Sequence, residues 1–419
     1  MKSLPFPTFF TLEIESRCNN RCYGCGNVFD RSKDNVSKQL TLDEWDLVLK
    51  QISSFARFIK LTGGEPTLSP KFFLLIECLE KYKIPFFIFT NGRWKERDLL
   101  IKALKSSHQF RGLLISLHGA DSTTHATFTG IEKSFEETVE TIKYAASSLD
   151  VAVNTVVTAK NYLQVETIIN LAESIGVKSI SFSRYIGVNL PGISPNNIQL
   201  LSAIRKIEIL RAQGHNVHYG PCIPQCFVSS KASSCSAGIA SCAIDPWGNV
   251  KPCTHSISYT GNLRDSELLT IWNSSTFQTW RNILPTDCKA CSLLDVCGGG
   301  CRAQMLLTSS DKDPLMRKPP NIIVPLDEYK LHSNIRPKFL GEILSGDDGK
   351  YFIIRGGRVR LVNWTAKKLL DGLNGDITLE QIKNCHGHSA LALVVTLSNE
   401  GYIKLESQAD NKLTRIDAI

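Results

Sequence analysis

Three cysteines with the spacing CxxxCxxC, at Cys18, Cys22 and Cys25, constrain this chain more than any other feature. Three thiolates can bind three irons of a [4Fe–4S] cluster and leave the fourth iron open to another molecule. A structural zinc site needs a fourth protein ligand, and no Cys or His close to this motif supplies one. The alternating stretch Phe9–Glu15 predicts a β-strand just before the cysteines. The pattern therefore predicts an iron–sulfur loop at a strand's carboxyl end, where α/β barrels carry their active sites.

The composition is that of a globular chain with two or three domains. With 419 residues, 42% of them hydrophobic, the chain is long enough to build several cores. No signal-like apolar run and no window of membrane-spanning length occurs, so we expect a cytoplasmic protein with no membrane partner. Fourteen cysteines then favour metal–sulfur clusters over a disulfide scaffold. The net charge of +8 is spread along the chain, which favours an acidic peptide segment as partner and argues against nucleic acid.

The chain up to about residue 186 alternates apolar runs with amphipathic stretches, a pattern that predicts repeated β–α units and a parallel sheet. The predicted strands are Phe9–Glu15, Phe58–Leu61, Pro85–Thr90, Gly112–Leu117, Val151–Thr158 and Ser179–Ser183. The predicted helices are Leu42–Phe55, Pro70–Tyr82, Trp94–Ser106, Ser134–Ser148 and Tyr162–Ser174. The expected fold class is therefore α/β.

A second motif, Gly63-Gly64-Glu65, ends the strand that follows the cysteine loop. Together, the cysteine loop and this motif resemble the radical S-adenosylmethionine (SAM) enzymes. The resemblance implies an open, partial (β/α)6 TIM barrel over residues 1–215, in which the cluster on the three cysteines binds SAM. It also implies that the backbone of the Gly-Gly-Glu motif holds the amino group of SAM.

Further SAM contacts are expected at the ends of the later strands. By the same resemblance, Ser116, Asn154 and Arg184 contact the ribose and carboxylate of SAM. One departure from the family pattern is visible in the cysteine loop. Many members place an aromatic residue just before the third cysteine to cover the adenine, whereas this chain has Gly24 there and Tyr23 one place earlier.

A second array of cysteines lies between Cys222 and Cys301. It contains Cys235-x12-Gly248-x4-Cys253 followed by Cys288-x2-Cys291-x5-Cys297-x3-Cys301. This array resembles the SPASM extension of radical SAM peptide-modifying enzymes, which implies two auxiliary [4Fe–4S] clusters within residues 216–310. Position by position, the resemblance implies Cys235, Cys242, Cys253 and Cys301 as ligands of one cluster, and Cys288, Cys291 and Cys297 as ligands of the other.

The fourth ligand of the second auxiliary cluster is left open by the sequence. Relatives supply a further cysteine soon after the last motif, and none occurs here between Cys301 and Cys385. Either Cys222 or Cys226 can substitute, or one iron stays open to substrate. A zinc ribbon built from the cysteines between Cys288 and Cys301 is the alternative metal site.

A catalytic acid or base is not assigned by any motif. Sulfatase-maturing relatives carry an acidic proton acceptor just after the residue that matches Cys253, and this chain has Thr254 and His255 there. His255 is a candidate base and equally a surface histidine.

The C-terminal part is expected to form a separate module. Residues 311–336 are predicted to be a linker, and residues 337–410 a small domain with a hairpin around Gly356 and Gly357. Helices are predicted at Thr365–Leu373, from Asp376 and at Ala390–Glu400. This order resembles the PqqD-type peptide-recognition domain, a winged helix that binds a precursor leader as an added strand. Arg355, Arg358 and Arg360 are expected to attract acidic leader residues, and packing or nucleic-acid binding is the alternative role.

These resemblances imply a radical SAM/SPASM maturase of a ribosomally synthesised precursor peptide. Three [4Fe–4S] clusters and SAM are the expected cofactors, and a one-electron donor such as flavodoxin or ferredoxin is an expected partner. SAM would be cleaved to a 5′-deoxyadenosyl radical that removes a hydrogen atom from the peptide. The bond changed is left open between epimerisation, thioether formation, carbon–carbon cross-linking and the tyramine excision of peptide spliceases. The alternatives are a radical SAM enzyme acting on a small molecule or tetrapyrrole side chain, and a non-enzymatic metal scaffold or peptide carrier.

Overall fold

The structure is a computed structural model that describes residues 3–27, 38–220, 222–228, 235–291, 294–317, 335–346, 350–355 and 358–406. Its largest element is one sheet of ten strands. These are β1 (Phe9–Glu13), β2 (Phe58–Thr62), β3 (Phe86–Thr90), β4 (Phe110–Ser116), β5 (Val151–Val157), β6 (Ser179–Arg184), β7 (Val217–Tyr219), β8 (Ser241–Ile244), β9 (Asn249–Lys251) and β10 (Gly261–Asn262). Their order in the sheet is β10-β9-β8-β1-β2-β3-β4-β5-β6-β7.

The parallel part of this sheet runs from β1 to β7, with each strand beside the next one in the chain. Its helices are α1 (Leu42–Ile52), α2 (Phe72–Lys81), α3 (Arg97–Ser106), α4 (Ser122–Thr129), α5 (Ser134–Ala146), α6 (Val165–Ser174) and α7 (Asn197–Ala212). All six predicted strands are present. The α/β partial barrel is therefore confirmed, while β7, α4 and α7 were not predicted. The sequence of α4, STTHATFT, has no apolar stripe to reveal it, and its N-cap is Asp121.

Side-chain alternation along the strands divides the core from the barrel interior. Leu12 of β1 and Leu61 of β2 are fully buried in the main core, which lies between the sheet and its helices. On the opposite face, Phe58 packs against Phe9, with ring centroids 6.2 Å apart, and against Phe87, at 5.3 Å. These three rings fill the interior near the amino ends of the strands, so polar site residues are left for the carboxyl ends.

The cysteine-rich region continues the barrel sheet and does not form a detached domain. β8 pairs in parallel with β1, and β9 and β10 extend the sheet further in antiparallel fashion. The turn between β8 and β9 contains Gly248 at φ 85°, a backbone conformation that favours glycine. The helices that follow are α8 (Leu268–Trp272), α9 (Ser275–Arg281), α10 (Thr286–Lys289), α11 (Leu294–Cys297) and α12 (Arg302–Leu307). Trp272 anchors them to the chain start, since its Nε1 donates to the Leu4 carbonyl (2.9 Å).

Residues 311–317, at the start of the expected linker, are packed into the structure. Asp313 is 1% exposed, and Leu315 belongs to the main hydrophobic core. Arg317 lies over the ring of Phe227, 4.7 Å from its centroid. The chain therefore stays part of the barrel and cysteine-rich region up to Arg317.

The C-terminal module has its own core and two small sheets. Its elements are β11 (Arg336–Phe339), β12 (Glu342–Ser345), β13 (Tyr351–Arg355), β14 (Arg358–Val362), α13 (Trp364–Asp371), α14 (Leu379–Asn399) and β15 (Ile403–Glu406). β12, β13 and β14 form one antiparallel sheet, and β11 pairs with β15 in the other. Gly387, at φ 80° and ψ 178°, breaks α14 into two segments. The predicted hairpin is thus present, whereas β11, β12 and β15 were not predicted.

The module contacts the barrel at one end of its three-stranded sheet. Glu342 of β12 forms a bidentate ion pair with Arg57 (2.8 and 2.9 Å). Phe352 and Ile354 of β13 share a buried cluster with Leu4 near the chain start. Because these contacts involve β12 and β13, the remaining edge of this sheet is β14.

Two of the arginines expected to attract a leader are already engaged. Arg360 forms an ion pair with Glu400, and Arg355 donates to the Gly401 carbonyl. The side chain of Arg358, like Gly356 and Gly357, lies outside the described residues. Within the described ranges, no helix has the length and apolar character needed to cross a membrane.

Candidate iron–sulfur and cofactor site

The three-cysteine loop follows β1 directly and is held by the carboxyl end of α4. The amide of Arg21 donates to the Thr129 carbonyl (2.8 Å), and the amide of Tyr23 donates to the Phe128 carbonyl (2.9 Å). Both acceptors belong to the last turn of α4, where carbonyl groups have no partner inside the helix. The unpredicted helix α4 therefore positions the first cysteine loop.

Residues after β3 hold the same loop from another side. Arg93 donates from Nη1 to Asn20 Oδ1 (2.9 Å), and Asn19 donates from Nδ2 to the Arg93 carbonyl (2.9 Å). Cys18 Sγ accepts from the Asn20 amide (3.4 Å) and from Asn91 Nδ2 (3.6 Å). Burial raises the pKa of the Cys18 thiol to about 11. These two donors face a sulfur atom on which a cluster would place negative charge.

The two glycines of the Gly-Gly-Glu motif let the end of β2 pass against the chain that leads into the cysteine loop. A Cβ atom on Gly64 would lie 2.2 Å from the Arg17 carbonyl oxygen, and one on Gly63 would lie 2.5 Å from the Glu15 carbonyl oxygen. Both neighbours are backbone atoms that cannot swing away. The motif is therefore required for this close approach, and its position beside the cysteines agrees with the sequence expectation.

The carboxylate of Glu65 is used inside the protein. It is fully buried and accepts from Thr90 Oγ1 (2.7 Å), the Asn91 amide (2.8 Å) and Thr67 Oγ1 (2.8 Å). Burial raises the pKa of this carboxyl group, and the hydrogen bonds oppose that effect. Glu65 therefore ties the end of β2 to the end of β3 and leaves the motif's backbone as the part suited to a ligand.

An aromatic ring covers the cysteine loop, although it comes from the residue that follows β6 and not from the loop itself. A Cβ atom on Gly24 would lie 2.2 Å from Cε2 of Tyr185, and Gly24 has a φ of 75°. The Tyr185 hydroxyl donates to the Val188 carbonyl (3.0 Å), which fixes the ring. Tyr23, in contrast, is 53% exposed. The residue before Cys25 is thus glycine because a ring from elsewhere occupies the space of its side chain.

Two of the three strand-end residues expected to contact SAM lie side by side. Ser116 and Asn154 are register partners in the parallel pair β4 and β5. Asn154 is 7% exposed, and its Oδ1 accepts from Ser183 Oγ (2.7 Å). The structure therefore brings Ser116, Asn154 and Ser183 together near the carboxyl ends of neighbouring strands.

Arg184, the third expected residue, is directed toward the cysteine-rich region. Its Nη1 donates to the Cys222 carbonyl (2.9 Å) and to Asp313 Oδ2 (2.7 Å). The same Asp313 oxygen accepts from the Cys301 amide (2.7 Å). Within the described ranges Arg184 Nε has no hydrogen-bond partner. Arg184 thus links β6 to two cysteine backbones, a role that sequence reasoning missed because Asp313 lies in the expected linker.

The first cysteine group consists of Cys222, Cys235, Cys253 and Cys301. The Cys222 thiol is within hydrogen-bonding reach of both Cys235 and Cys301, and Cys253 interacts electrostatically with the same two thiols. All four pack in one small cluster with Trp280. Three of these cysteines are those expected from the sequence, and Cys222 is the fourth member.

Cys242 does not lie in this group, contrary to the sequence expectation. It is within β8, where its register partner on β1 is Phe10, and it is 2% exposed in the main core. The charged group that influences its thiol is Arg281, and burial raises its pKa far above the ordinary value. A central strand position fixes this side chain away from the loops that carry the other cysteines.

The second cysteine group consists of Cys226, Cys288, Cys291 and Cys297, which line one cavity together with Met316 and Arg317. The thiols of Cys226, Cys291 and Cys297 all act electrostatically on Cys288. The three expected members are therefore joined by Cys226. Because Cys301 belongs to the first group, the zinc ribbon expected as the alternative is not the arrangement found.

The two four-cysteine groups fit iron–sulfur clusters by their donor chemistry. Each offers four thiol side chains, the ligand set of a [4Fe–4S] cluster. Among the described residues, no three His, Cys, Asp or Glu side chains are arranged to hold a single metal ion. A cluster binds its thiolates through separate corner irons, so its ligands need not converge on one point. Arg302 is 3% exposed and interacts with Cys235, Cys301 and Cys297, which places one buried cation beside both groups.

His255 lies between the first cysteine loop and the first cysteine group, and its side chain is half-buried. A Cβ atom on Gly26 of the loop would lie 2.7 Å from His255 Nε2. Burial, with smaller effects from Lys60 and Lys251, lowers the pKa of His255 to about 4. At neutral pH the ring is therefore uncharged.

Comparison with known proteins agrees with this geometry. Residues 12–175 match the radical SAM superfamily, and residues 235–292 match the SPASM iron–sulfur cluster-binding domain. A radical SAM domain implies a [4Fe–4S] cluster and SAM, and a SPASM domain implies auxiliary iron–sulfur clusters.

Similar proteins include a synthase, a cyclase and a maturase. The AdoMet-dependent heme synthase of Methanosarcina barkeri is 24% identical over 73% of this chain and 94% of that protein. The PqqA peptide cyclase of Bradyrhizobium diazoefficiens is 24% identical over 73% of this chain and 84% of its own. The mycofactocin maturase MftC of Mycobacterium tuberculosis is 25% identical over 74% of this chain and 82% of that protein.

Among solved structures, Streptococcus suis SuiB bound to its precursor peptide SuiA superposes with a TM-score of 0.61 at 20% identity, covering 75% of this chain and 76% of SuiB. SuiB bound to SAM gives a TM-score of 0.62 at 19% identity, with the same coverage. The chain therefore has the α/β partial-barrel fold of radical SAM enzymes, followed by a SPASM region.

Proposed function

We propose that this protein is a radical SAM enzyme that modifies a ribosomally synthesised precursor peptide. The observation that carries the proposal is the grouping of eleven cysteines into one loop of three and two groups of four, all joined to one barrel. A loop of three leaves an iron open for a cofactor, and groups of four give fully ligated clusters. One three-cysteine loop and two four-cysteine groups are the ligand sets expected of an enzyme with one reactive cluster and two auxiliary clusters.

The first loop would hold the SAM-binding cluster through Cys18, Cys22 and Cys25. When bound, that cluster and SAM supply a 5′-deoxyadenosyl radical, which removes a hydrogen atom from the substrate. The backbone of Gly63 and Gly64 would hold the amino group of SAM, beside the loop. Ser116 and Asn154, paired across β4 and β5, would bind its polar groups.

Arg184 contributes differently from the sequence expectation. Its Nη1 is committed to Asp313 and to the Cys222 carbonyl, so its guanidinium group would support the first cysteine group and not SAM. His255 would be the proton acceptor, because its ring lies against the first cysteine loop.

The peptide substrate is supported by the relatives and by the C-terminal module. One of the three relatives is named a peptide cyclase and another a maturase, and SuiB was solved with a precursor peptide bound. The module resembles a PqqD-type domain, and a leader segment would add as a strand to β14, the edge strand opposite β12, which lies close to α11. Arg355 and Arg360 already have partners within the module. Backbone hydrogen bonds would therefore contribute more to leader binding than the charge of these two arginines.

A second candidate function is favoured by one of the comparisons. The similarity to AdoMet-dependent heme synthase covers as much of this chain as the similarity to PqqA peptide cyclase. A tetrapyrrole side chain or another small molecule is therefore the alternative substrate. Such an enzyme would have no need of a leader-binding module.

The test is a reaction of the reconstituted full chain with SAM, a reductant such as reduced flavodoxin, and the precursor peptide encoded beside its gene. We expect 5′-deoxyadenosine and a peptide of altered mass. The matched control replaces the three loop cysteines with Ala, which should abolish both products. SAM cleavage with an unchanged peptide would favour the small-molecule alternative, and no SAM cleavage by the reconstituted protein would contradict an enzymatic role.

A further inference from the structure

We propose that the two cysteines of the segment Cys222–Cys226 are divided between the two auxiliary clusters. Cys222 completes the first cysteine group, Cys226 completes the second, and Cys242 is a core residue that binds no iron. The inference rests on the proposed function, in that it takes both groups to be cluster sites. It assigns a ligand that the sequence left open and replaces one that the family resemblance implied.

Cys222 is placed in the first group by its contacts. Its thiol reaches Cys235 and Cys301, and it packs with both in the small cluster around Trp280. The Cys222 carbonyl accepts a hydrogen bond from Arg184. Arg184 also donates to the carboxylate of Asp313, and this carboxylate accepts from the Cys301 amide. Backbone and side chain of Cys222 are therefore both directed to this group.

Cys226 is turned toward the second group by the turn that follows Pro224. The Phe227 amide donates to the Pro224 carbonyl (2.9 Å), which reverses the chain after only a few residues. The Gln225 amide donates to Cys297 Sγ (3.4 Å), and Cys226 Sγ accepts from the Arg317 amide (3.5 Å). Cys226 therefore lines the cavity of the second group, while Cys222 does not.

Cys242 lacks the setting of a cluster ligand. The parallel pairing of β8 with β1 holds it beside Phe10, and its side chain is in the apolar core between sheet and helices. Moving it into the first group would break this ladder and open a cavity in the core. Its role as a small buried hydrophobe is sufficient to explain it.

The assignment also accounts for every cysteine in the chain. Three thiols in the first loop and four in each group use eleven of the fourteen. The three that remain are Cys78 on α2, Cys242 in the core and Cys385 on α14, which is exposed. Neither auxiliary cluster then needs a non-cysteine ligand.

The test compares Cys222→Ala, Cys226→Ala and Cys242→Ala in the reconstituted full chain, with Cys385→Ala as the matched control. Iron, acid-labile sulfide and the EPR spectrum of the reduced protein are measured for each. We expect the Cys222 and Cys226 variants to lose about four irons each, or to keep a cluster with an altered EPR signal. The Cys242 variant should match the control.

Double variants identify which cluster each residue serves. In a Cys301→Ala background, which lacks the first group, Cys222→Ala should change nothing further and Cys226→Ala should alter the remaining auxiliary signal. In a Cys288→Ala background the pattern should reverse. If an Ala variant fails to fold, the Ser variant at the same position replaces it, because serine keeps the shape of the side chain and changes the EPR signal only at a ligand position.

Two results would overturn the assignment. One is an altered cluster in Cys242→Ala or Cys242→Ser together with an unchanged one in the Cys222 variants. The other is an effect of Cys226 variants on the cluster that Cys301 binds. A wild-type protein that holds iron for one cluster only would overturn the proposed cluster function as well, and this outcome is distinct from a change in ligands.

Discussion

The buried ion pair between Arg184 and Asp313 joins three separate parts of the chain. Their side chains are 5% and 0% exposed, and Asp313 also accepts from the Cys301 amide. Charges this deeply buried are tolerated only when each is paired and hydrogen-bonded. Asp313, which lies beyond the last cysteine motif, thus holds both the end of β6 and the backbone of the first cysteine group in place.

Replacing Asp313 with Ala should destabilise the fold by about 3–5 kcal/mol, because Arg184 would keep a buried charge without a partner. Denaturant midpoints of the reconstituted proteins measure the effect. Glu166→Ala, which breaks an exposed pair with Lys206, is the control and should leave the midpoint unchanged. The double variant Arg184→Met/Asp313→Leu should recover much of the loss, and a midpoint as low as that of Asp313→Ala would contradict the pairing argument.

Asn91 should tune the cluster bound by the first loop, since its Nδ2 lies 3.6 Å from Cys18 Sγ. A donor to a cluster sulfur stabilises the extra negative charge of the reduced state. Asn91→Leu should therefore make the reduction potential more negative. The shift should be on the order of 40 mV, since a hydrogen bond contributes about 1 kcal/mol and 59 mV corresponds to about 1.4 kcal/mol for one electron.

An EPR-monitored redox titration measures this shift, with iron content as a check that the loop still binds its cluster. Asn374→Leu, in the C-terminal module, is the control. An unchanged potential at full iron content would mean that Asn91 does not donate to the ligated sulfur.

At the scale of elements, α4 is held to β4 by two stacked histidines. His125 Nδ1 accepts from the His118 amide (3.0 Å), and His118 Nδ1 accepts from the Val156 amide (3.2 Å). Burial lowers the pKa of both rings, that of His125 to about 4. Both rings are therefore uncharged and accept hydrogen bonds from backbone amides next to α4, the helix that positions the cysteine loop.

This pair should make stability depend on pH in a definite direction. The unfolded chain takes up protons on these rings below about pH 6.5, whereas the folded chain does not until about pH 4, so stability is lost as the pH falls through this window. For His125 alone the loss approaches about 3 kcal/mol at pH 4. His125→Asn keeps an acceptor for the His118 amide and removes the titration.

Denaturant midpoints between pH 7 and pH 4.5 for wild type and His125→Asn provide the measurement. The variant should show the shallower pH dependence. Equal slopes would mean that His125 takes up its proton in the folded state near its ordinary pKa.

At the scale of the whole molecule, the boundary between the cysteine-rich region and the C-terminal module lies after Arg317. Asp313 and Leu315 are buried in the N-terminal part, and Met316 lines the cavity of the second cysteine group. The module has a separate core. The Arg57–Glu342 pair and the buried cluster of Phe352 and Ile354 with Leu4 join the two parts.

Two truncations separated by a few residues should therefore behave differently. A chain ending at residue 317 should fold and bind the same iron as the full protein, because it keeps the buried Asp313 and Leu315. A chain ending at residue 309 should lose auxiliary iron and solubility, since Arg184 and the second cysteine group lose their partners. Iron content and gel filtration compare the two, and equal iron in both would contradict the structural role of residues 310–317.

The strands, the first cysteine loop and the Gly-Gly-Glu motif were predictable from the sequence because their signals are local. Alternation along a strand repeats every two residues, and the spacing of Cys18, Cys22 and Cys25 is set within one short loop. The six strands of the partial barrel are confirmed for this reason. Helix α4 escaped prediction because it is short and carries no apolar stripe.

The partition of the other cysteines was decided only by tertiary structure. Cys222 meets Cys301, and Cys226 meets Cys297, across long stretches of chain whose paths depend on how β8 pairs with β1. The family resemblance favoured Cys242, because the sequence does not show that the strand of Cys242 lies in the core. Sequence thus determined the chemistry that this protein can hold, while the fold decided which thiols share a cluster site, because ligand groups are assembled by contacts between distant segments.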